Sequence, residues 1–123
     1  MTAAAHAQLD TRLLALAAMH CRAGAPRLGA DELAAHAAAL PGWTSTGGAL
    51  ARTFAFANYH ETLAFVNALA WIAHREDHHP DLAVHYANCV VTFATRDAGG
   101  VTLNDVICAA KTDAIFDQRY SGA

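Results

Sequence analysis

Three of the chain's eight histidines, His74, His78 and His79, stand close together, and Pro80 follows them directly. Imidazole gives and takes protons near neutral pH, so two adjacent imidazoles at the end of an element are candidates for acid-base catalysis. On an unbroken helix, adjacent side chains diverge by about 100°. Pro80 lacks an N–H and pushes the residue before it out of helical geometry, so it is expected to stop the helix and let both rings line one pocket. Asp77, next in the chain, could orient an imidazole and stabilise its charged form. The plainer alternative is an exposed polar helix terminus, where histidines also meet the last carbonyls.

Other chemistries fit less well. His74 and His78 are four apart, which places two imidazoles on one helical face, but Arg75 stands where the zinc-protease pattern requires Glu. With only His79, His60 or His85 to complete a site, no metal is expected. No Ser or Cys lies in a nucleophile-elbow context. Asp105, three residues after Thr102, reads as a helix cap rather than a catalytic acid, and Tyr86, alternating with Leu82 and Val84, as a core aromatic. Cys21, Cys89 and Cys108 are odd in number and far apart, with no C-x-x-C pair, so neither a zinc knuckle nor a redox couple is expected. Cys89 and Cys108 read as small buried hydrophobes, and a reducing cytoplasm fits best.

The elements that must hold these residues follow from periodicity and punctuation. After Gly24-Ala25-Pro26, Asp31 and Glu32 open an alanine-rich helix with Leu33, Ala37 and Leu40 inward, ended by Pro41-Gly42. Trp43 opens a strand that turns at Gly47-Gly48 and returns over Ala49 to Phe56, where Leu50, Phe54 and Phe56 share a face that Arg52 interrupts. Asn58 and Glu61 have capping spacing for a helix running to about His74 or Asp77, with Leu63, Val66, Ala70 and Ala73 as its buried stripe and Phe65, Leu69 and Ile72 widening it. Two strands follow, Leu82 to Tyr86 and Cys89 to Thr95, joined tightly near Ala87-Asn88. Gly99-Gly100 turns the chain, and Thr102 with Asp105 starts a last helix with Leu103, Val106, Ile107 and Ala110 inward. The order α-β-β-α-β-β-α without long crossovers makes an α+β domain, an antiparallel sheet with helices on one face.

A chain of 123 residues is expected to form one domain. Its formal charge of −3, with eight Lys plus Arg, supplies no basic stripe for nucleic acid, and no segment is long and apolar enough for a membrane span. Leu13 to Met19 followed by Ala23-Gly24-Ala25 has the outline of a short secretory signal. Asp10 and the missing positive cluster argue instead for an amphipathic helix using Leu9, Leu13, Leu16 and Ala17.

Together these residues resemble the pterin-4a-carbinolamine dehydratases, also described as dimerisation cofactors of a homeodomain transcription factor. The shared pattern is an acidic or His residue, three residues, His-His-Pro, an aromatic, a further His or Trp and a downstream Asp. Here it is carried by His74, His78-His79-Pro80, Tyr86, position 96 and Asp105. The likeness extends from Leu-Pro-Gly-Trp at 40 to 43, through Phe54-Ala-Phe56 and the Tyr59 to Asn67 helix, to Asn104-Asp105 and beyond. It implies a four-stranded antiparallel sheet backed by helices in a single domain over 26–120, preceded by a partly helical or flexible extension, 1–25. Homodimers or homotetramers are implied as well.

The implied reaction is that of a hydro-lyase, 4a-hydroxytetrahydrobiopterin dehydratase. It converts the 4a-hydroxytetrahydropterin left by an aromatic amino acid hydroxylase into quinonoid dihydropterin for recycling. One proton must reach the departing 4a-hydroxyl and one must leave a ring nitrogen, so imidazoles suffice and no cofactor is expected. By position, His78 and His79 are the acid-base, pterin-contacting pair, Asp77 helps hold the heterocycle, Pro80 belongs to the same binding turn, and Thr95 and Asp97 flank the third catalytic position. That position holds Arg96 where the family has His or Trp. A guanidinium stays protonated and cannot alternate as acid and base, although it can hydrogen-bond a pterin carbonyl. His74 departs too, from the Glu that many members carry. The alternative is a catalytically weakened member that works as a protein-interaction or assembly module.

Overall fold

The computed structural model describes residues 10–120. The chain runs α1 (Thr11–Ala17), α2 (Ala30–Ala37), β1 (Thr44–Thr46), β2 (Ala49–Ala55), α3 (Tyr59–Glu76), β3 (Asp81–Val84), β4 (Asn88–Ala94), a 3-10 turn (Arg96–Ala98) and α4 (Leu103–Tyr120). The strands form one antiparallel sheet in the order β1-β2-β4-β3. This is the α+β architecture expected, with one further helix, α1, at the front. Leu13 and Leu16 of α1 are buried where it packs on α4, and Leu9, expected on the same face, lies outside the described residues.

Local chemistry accounts for the boundaries. Gly47 and Gly48 take φ of 62° and 80°, the left-handed pair that a two-residue hairpin requires and that only glycine adopts without strain. The Asn58 side chain accepts from the Glu61 N–H at 2.9 Å, and Glu61 accepts in return from the Ala57 N–H at 3.2 Å, so α3 starts where its capping residues predict. Thr102 and Asp105 likewise start α4.

The sheet turns Leu50, Phe54, Cys89, Val91 and Phe93 toward α3 and α4, and all are buried. Burial of each large apolar side chain contributes about 1.5–3 kcal/mol. Arg52 interrupts this face because it has a partner: its guanidinium lies 2.6 Å from Asp113 and stacks over Phe54, while the Trp43 indole N–H donates to the same carboxylate at 2.9 Å. Among the described residues, no helix is long and apolar enough to cross a membrane.

Two expectations about burial are corrected. The face of α3 that enters the core is Thr62, Phe65, Leu69 and Ala73, whereas Ala70 is exposed and Leu63 and Val66 are half-buried. This helix is apolar around much of its circumference, so periodicity does not choose the face. Buried Thr62 fits because its hydroxyl reaches the carbonyls of Asn58 and Tyr86. Tyr86 is not a core aromatic: it is 68% exposed, with Leu82 at 36% and Val84 at 38%. It falls in the turn that follows β3, the edge strand of the sheet, rather than in the strand itself, and its ring stacks on Tyr59 at the surface, 6.3 Å between centroids.

Candidate active site

The end of α3 aims His78 inward. Asp77 takes the left-handed conformation, φ 51° and ψ 41°, and the N–H groups of Asp77 and His78 bond back to the carbonyls of His74 and Ala73 at 3.3 and 3.2 Å. That pair of bonds satisfies the last carbonyls and reverses the chain. Asp77, not Pro80, therefore stops the helix, and both His78 and His79 already lie beyond it. Asp tolerates this backbone better than most residues because its side chain is short and polar. Pro80 comes later, at the entrance to β3.

The His78 ring lies parallel to Phe93, 9° between planes and 6.0 Å between centroids. Its Nε2 is 2.6 Å from Oδ1 of Asp105, and the two side chains are 13% and 0% exposed. The other carboxylate oxygen of Asp105 accepts from the Thr95 hydroxyl at 2.8 Å and from the Thr102 N–H at 2.9 Å. Asp105 is thus the cap expected from sequence and also the residue that grips His78. A carboxylate only accepts, so opposite an Asp105 carboxylate Nε2 is the nitrogen that carries the hydrogen, and in a neutral ring Nδ1 then keeps its lone pair free to take a proton. An imidazole held in this way can work as a general base whose tautomer is fixed by a buried acid.

The other sequence-predicted residues divide into two sets. Asp77, Thr95 and Asp97 line one open cleft of about 550 Å³, together with Glu76, Ala98, Asn104 and the segment Cys21–Arg27. His79 and Arg96 stand outside the hydrogen-bonded array. His79 is exposed beside half-buried Pro80. Arg96, its side chain 88% exposed, opens the 3-10 turn 3.9 Å from the exposed Asp81, a separation at which a solvated ion pair contributes little. The exposed His74 stacks against Trp71 rather than joining His78 as a second metal ligand. Among the described residues, no group of three His, Cys, Asp or Glu could hold a metal ion.

Sequence reasoning missed what shapes the cleft wall. Glu76, its side chain 6% exposed, accepts from the Cys21 N–H at 2.7 Å, lies 2.9 Å from the His20 ring and 3.6 Å from the Lys111 ammonium. Burial alone would raise its pKa, but the Cys21 N–H, His20 and Lys111 outweigh burial and hold it below the ordinary value. Asn104 accepts from the Arg22 N–H at 3.1 Å and donates to the Arg22 carbonyl at 2.7 Å. Contacts between positions this far apart in the chain leave no local pattern; the family likeness had included Asn104-Asp105.

Known proteins share extended similarity with this chain. Residues 26–115 match the family model described as pterin 4 alpha carbinolamine dehydratase. A Chromobacterium violaceum protein named "putative pterin-4-alpha-carbinolamine dehydratase" is 68% identical over 77 residues, 63% of this chain and 71% of that one. A relative of the same name from Xanthomonas oryzae pv. oryzae is 56% identical over 113 residues, covering 88% of this chain and 96% of its own. The crystal structure of a transcriptional coactivator/pterin dehydratase from Brucella melitensis superposes with a TM-score of 0.70 at 34% identity, over 72% of this chain and 97% of that one. A pterin dehydratase-like protein identified as a RuBisCO assembly factor in the alpha-carboxysome aligns with a TM-score of 0.50 at 26% identity, over 59% and 84%.

Proposed function

The chain belongs to the pterin 4 alpha carbinolamine dehydratase family, and from that membership we propose that it dehydrates a 4a-hydroxytetrahydropterin to the quinonoid dihydropterin, with His78 as the central acid-base group. The observation that carries the reading is the 2.6 Å contact between His78 and the buried Asp105. With Nε2 committed to Asp105, Nδ1 takes the proton from the pterin ring nitrogen, and Asp105 stabilises the imidazolium that forms. His79, exposed on the same turn and able to exchange protons with water, protonates the departing 4a-hydroxyl, which leaves as water. The two events balance: one proton leaves nitrogen, one reaches oxygen, and the C4a–O bond breaks. Asp77, Pro80, Thr95 and Asp97 bind the heterocycle, and Arg96 swings from its loose contact with Asp81 to hydrogen-bond the pterin carbonyl without moving a proton.

Assembly into a homodimer or homotetramer belongs to the same proposal. It is supported by the large apolar side chains Trp71, Leu82, Val84 and Tyr86, which are 36–68% exposed. An aromatic amino acid hydroxylase is the kind of enzyme that supplies the substrate. Ultraviolet absorbance decay of a 4a-hydroxytetrahydropterin tests the reaction. The protein is expected to accelerate the decay in proportion to its concentration, and decay at the buffer rate would end the proposal.

A second reading is favoured by Arg96 and by the neighbour that serves as an assembly factor: a member whose chemistry has weakened and which works as an assembly module. Arg96→His separates the two. In the dehydratase reading Arg96 only binds, so turnover changes by less than about tenfold; a gain of a hundredfold or more, from a nearly inactive parent, is the result of the module reading.

A further inference from the structure

Cys21 and Cys108 are 87 residues apart in sequence, yet their Sγ atoms lie 3.5 Å from one another. Two of the three cysteines that are dispersed in the sequence thus meet in space. Cys21 begins the Cys21–Arg27 wall of the cleft and precedes the family match, which starts at residue 26. Cys108 is fully buried on α4, one turn beyond Asn104 and Asp105. The wall is already tied down by backbone bonds from Cys21 to Glu76 and from Arg22 to Asn104.

We propose that Cys21 and Cys108 are a redox-active pair, converted by hydrogen peroxide into a reversible intrachain disulfide that locks the cleft wall onto α4. Their geometry is suited to it. Reaching the bonded S–S length of about 2.05 Å requires the two sulfurs to close by about 1.5 Å. The movement falls to Cys21, because Cys108 is fixed in the core. Cys21 is half-buried at the open cleft and meets the oxidant first. The hydrogen bond to Cys21 and burial push the Cys108 thiol far up, which protects it from direct attack while Cys21 is reduced; its place 3.5 Å from the Cys21 sulfur makes it the resolving thiol.

The steps balance. The Cys21 sulfur attacks one peroxide oxygen, the O–O bond breaks, and the other oxygen leaves as water with the thiol proton, giving a sulfenic acid. The Cys108 sulfur then attacks the Cys21 sulfur, the S–O bond breaks, and the hydroxyl leaves as a second water with the Cys108 proton. Two electrons pass from the thiols to the peroxide, and a dithiol reductant reverses the change. Cys89, buried on β4, takes no part.

The test is independent of the dehydratase reading. Reduced full-length protein is treated with a small excess of hydrogen peroxide, denatured, alkylated and examined by intact mass and peptide mapping. The expected result is a monomer lighter by two hydrogens, alkylatable thiols falling from three to one, a Cys21–Cys108 link that dithiothreitol removes, and tryptic cleavage after Arg22 slowed about tenfold. Three surviving thiols, oxygen added to Cys21 without a link, a link between two chains, or unchanged cleavage after Arg22 would each overturn the proposal. Mapping the wild-type protein carries the decision, and Cys21→Ser, which must abolish the link, is the control.

Discussion

Replacing Asp105 with Asn is nearly isosteric, yet the hydrogen-bond inventory turns the change into a test of proton chemistry. One carboxylate oxygen of Asp105 faces the Thr102 N–H, a backbone donor that cannot reverse. The amide oxygen of Asn must occupy that place, so its NH2 is turned toward His78 Nε2, where the carboxylate now sits at 2.6 Å. Two donors cannot face one another, so His78 must move its proton to Nδ1, and the nitrogen assigned as the base is then blocked. The expected loss in turnover is about a hundredfold to ten-thousandfold, equivalent to about 2.7–5.5 kcal/mol of barrier, with KM changed far less. Losing a charge-assisted contact in a buried network should destabilise the fold by about 1–3 kcal/mol, so a thermal melt must first establish that the variant is folded. Turnover follows from stopped-flow absorbance, and the tautomer from 15N chemical shifts of the His78 ring. A folded Asp105→Asn protein with turnover within about threefold of wild type would refute the reasoning.

Three further outcomes follow from the same contacts. Glu76→Gln is expected to lower the melting temperature at neutral pH and to speed tryptic cleavage after Arg22. Because the folded pKa of Glu76 lies below its ordinary 4.5, its contribution is present above that value and fades as pH falls through the folded pKa; a deficit equally large in strong acid would contradict this. Arg52→Met leaves Asp113 buried without its cation and should cost about 3 kcal/mol in urea unfolding near neutral pH. Burial already raises the Asp113 pKa, outweighing Arg52 and Trp43. Without Arg52 the pKa rises further, so the cost should shrink in acid, where Asp113 is neutral. Arg96→Ala, at a side chain 88% exposed, should raise KM by less than about tenfold and leave kcat within about threefold, measured by initial rates over a range of pterin concentrations.

The fold was largely legible because its signals are local. Gly47-Gly48, Asn58 with Glu61 and Thr102 with Asp105 each mark a boundary through neighbouring atoms, and alternation around Leu50, Phe54, Cys89, Val91 and Phe93 marks the inner face. What failed depended on distance. Whether Tyr86 is covered is decided by where β3 ends, which puts it in an exposed turn, and the buried face of α3 by which of its apolar sides the sheet meets. The helix ends where its expected range does, near Asp77, but the left-handed backbone that ends it there leaves no mark in the sequence, where Pro80 is the stronger stop signal. At the candidate site, His78 and Thr95 could be named from sequence, but their connection through Asp105 joins residues 27 and 10 positions apart. The contacts of Cys21 with Glu76 and with Cys108 cross 55 and 87 positions and follow no periodicity.

The most direct measurement compares wild type and His78→Ala, side by side, in the decay of a 4a-hydroxytetrahydropterin followed at several pH values. Catalysis by the wild type is expected to fall by at least about a hundredfold in His78→Ala, while the variant retains a cooperative melt. Equal catalysis by the two proteins would contradict this expectation.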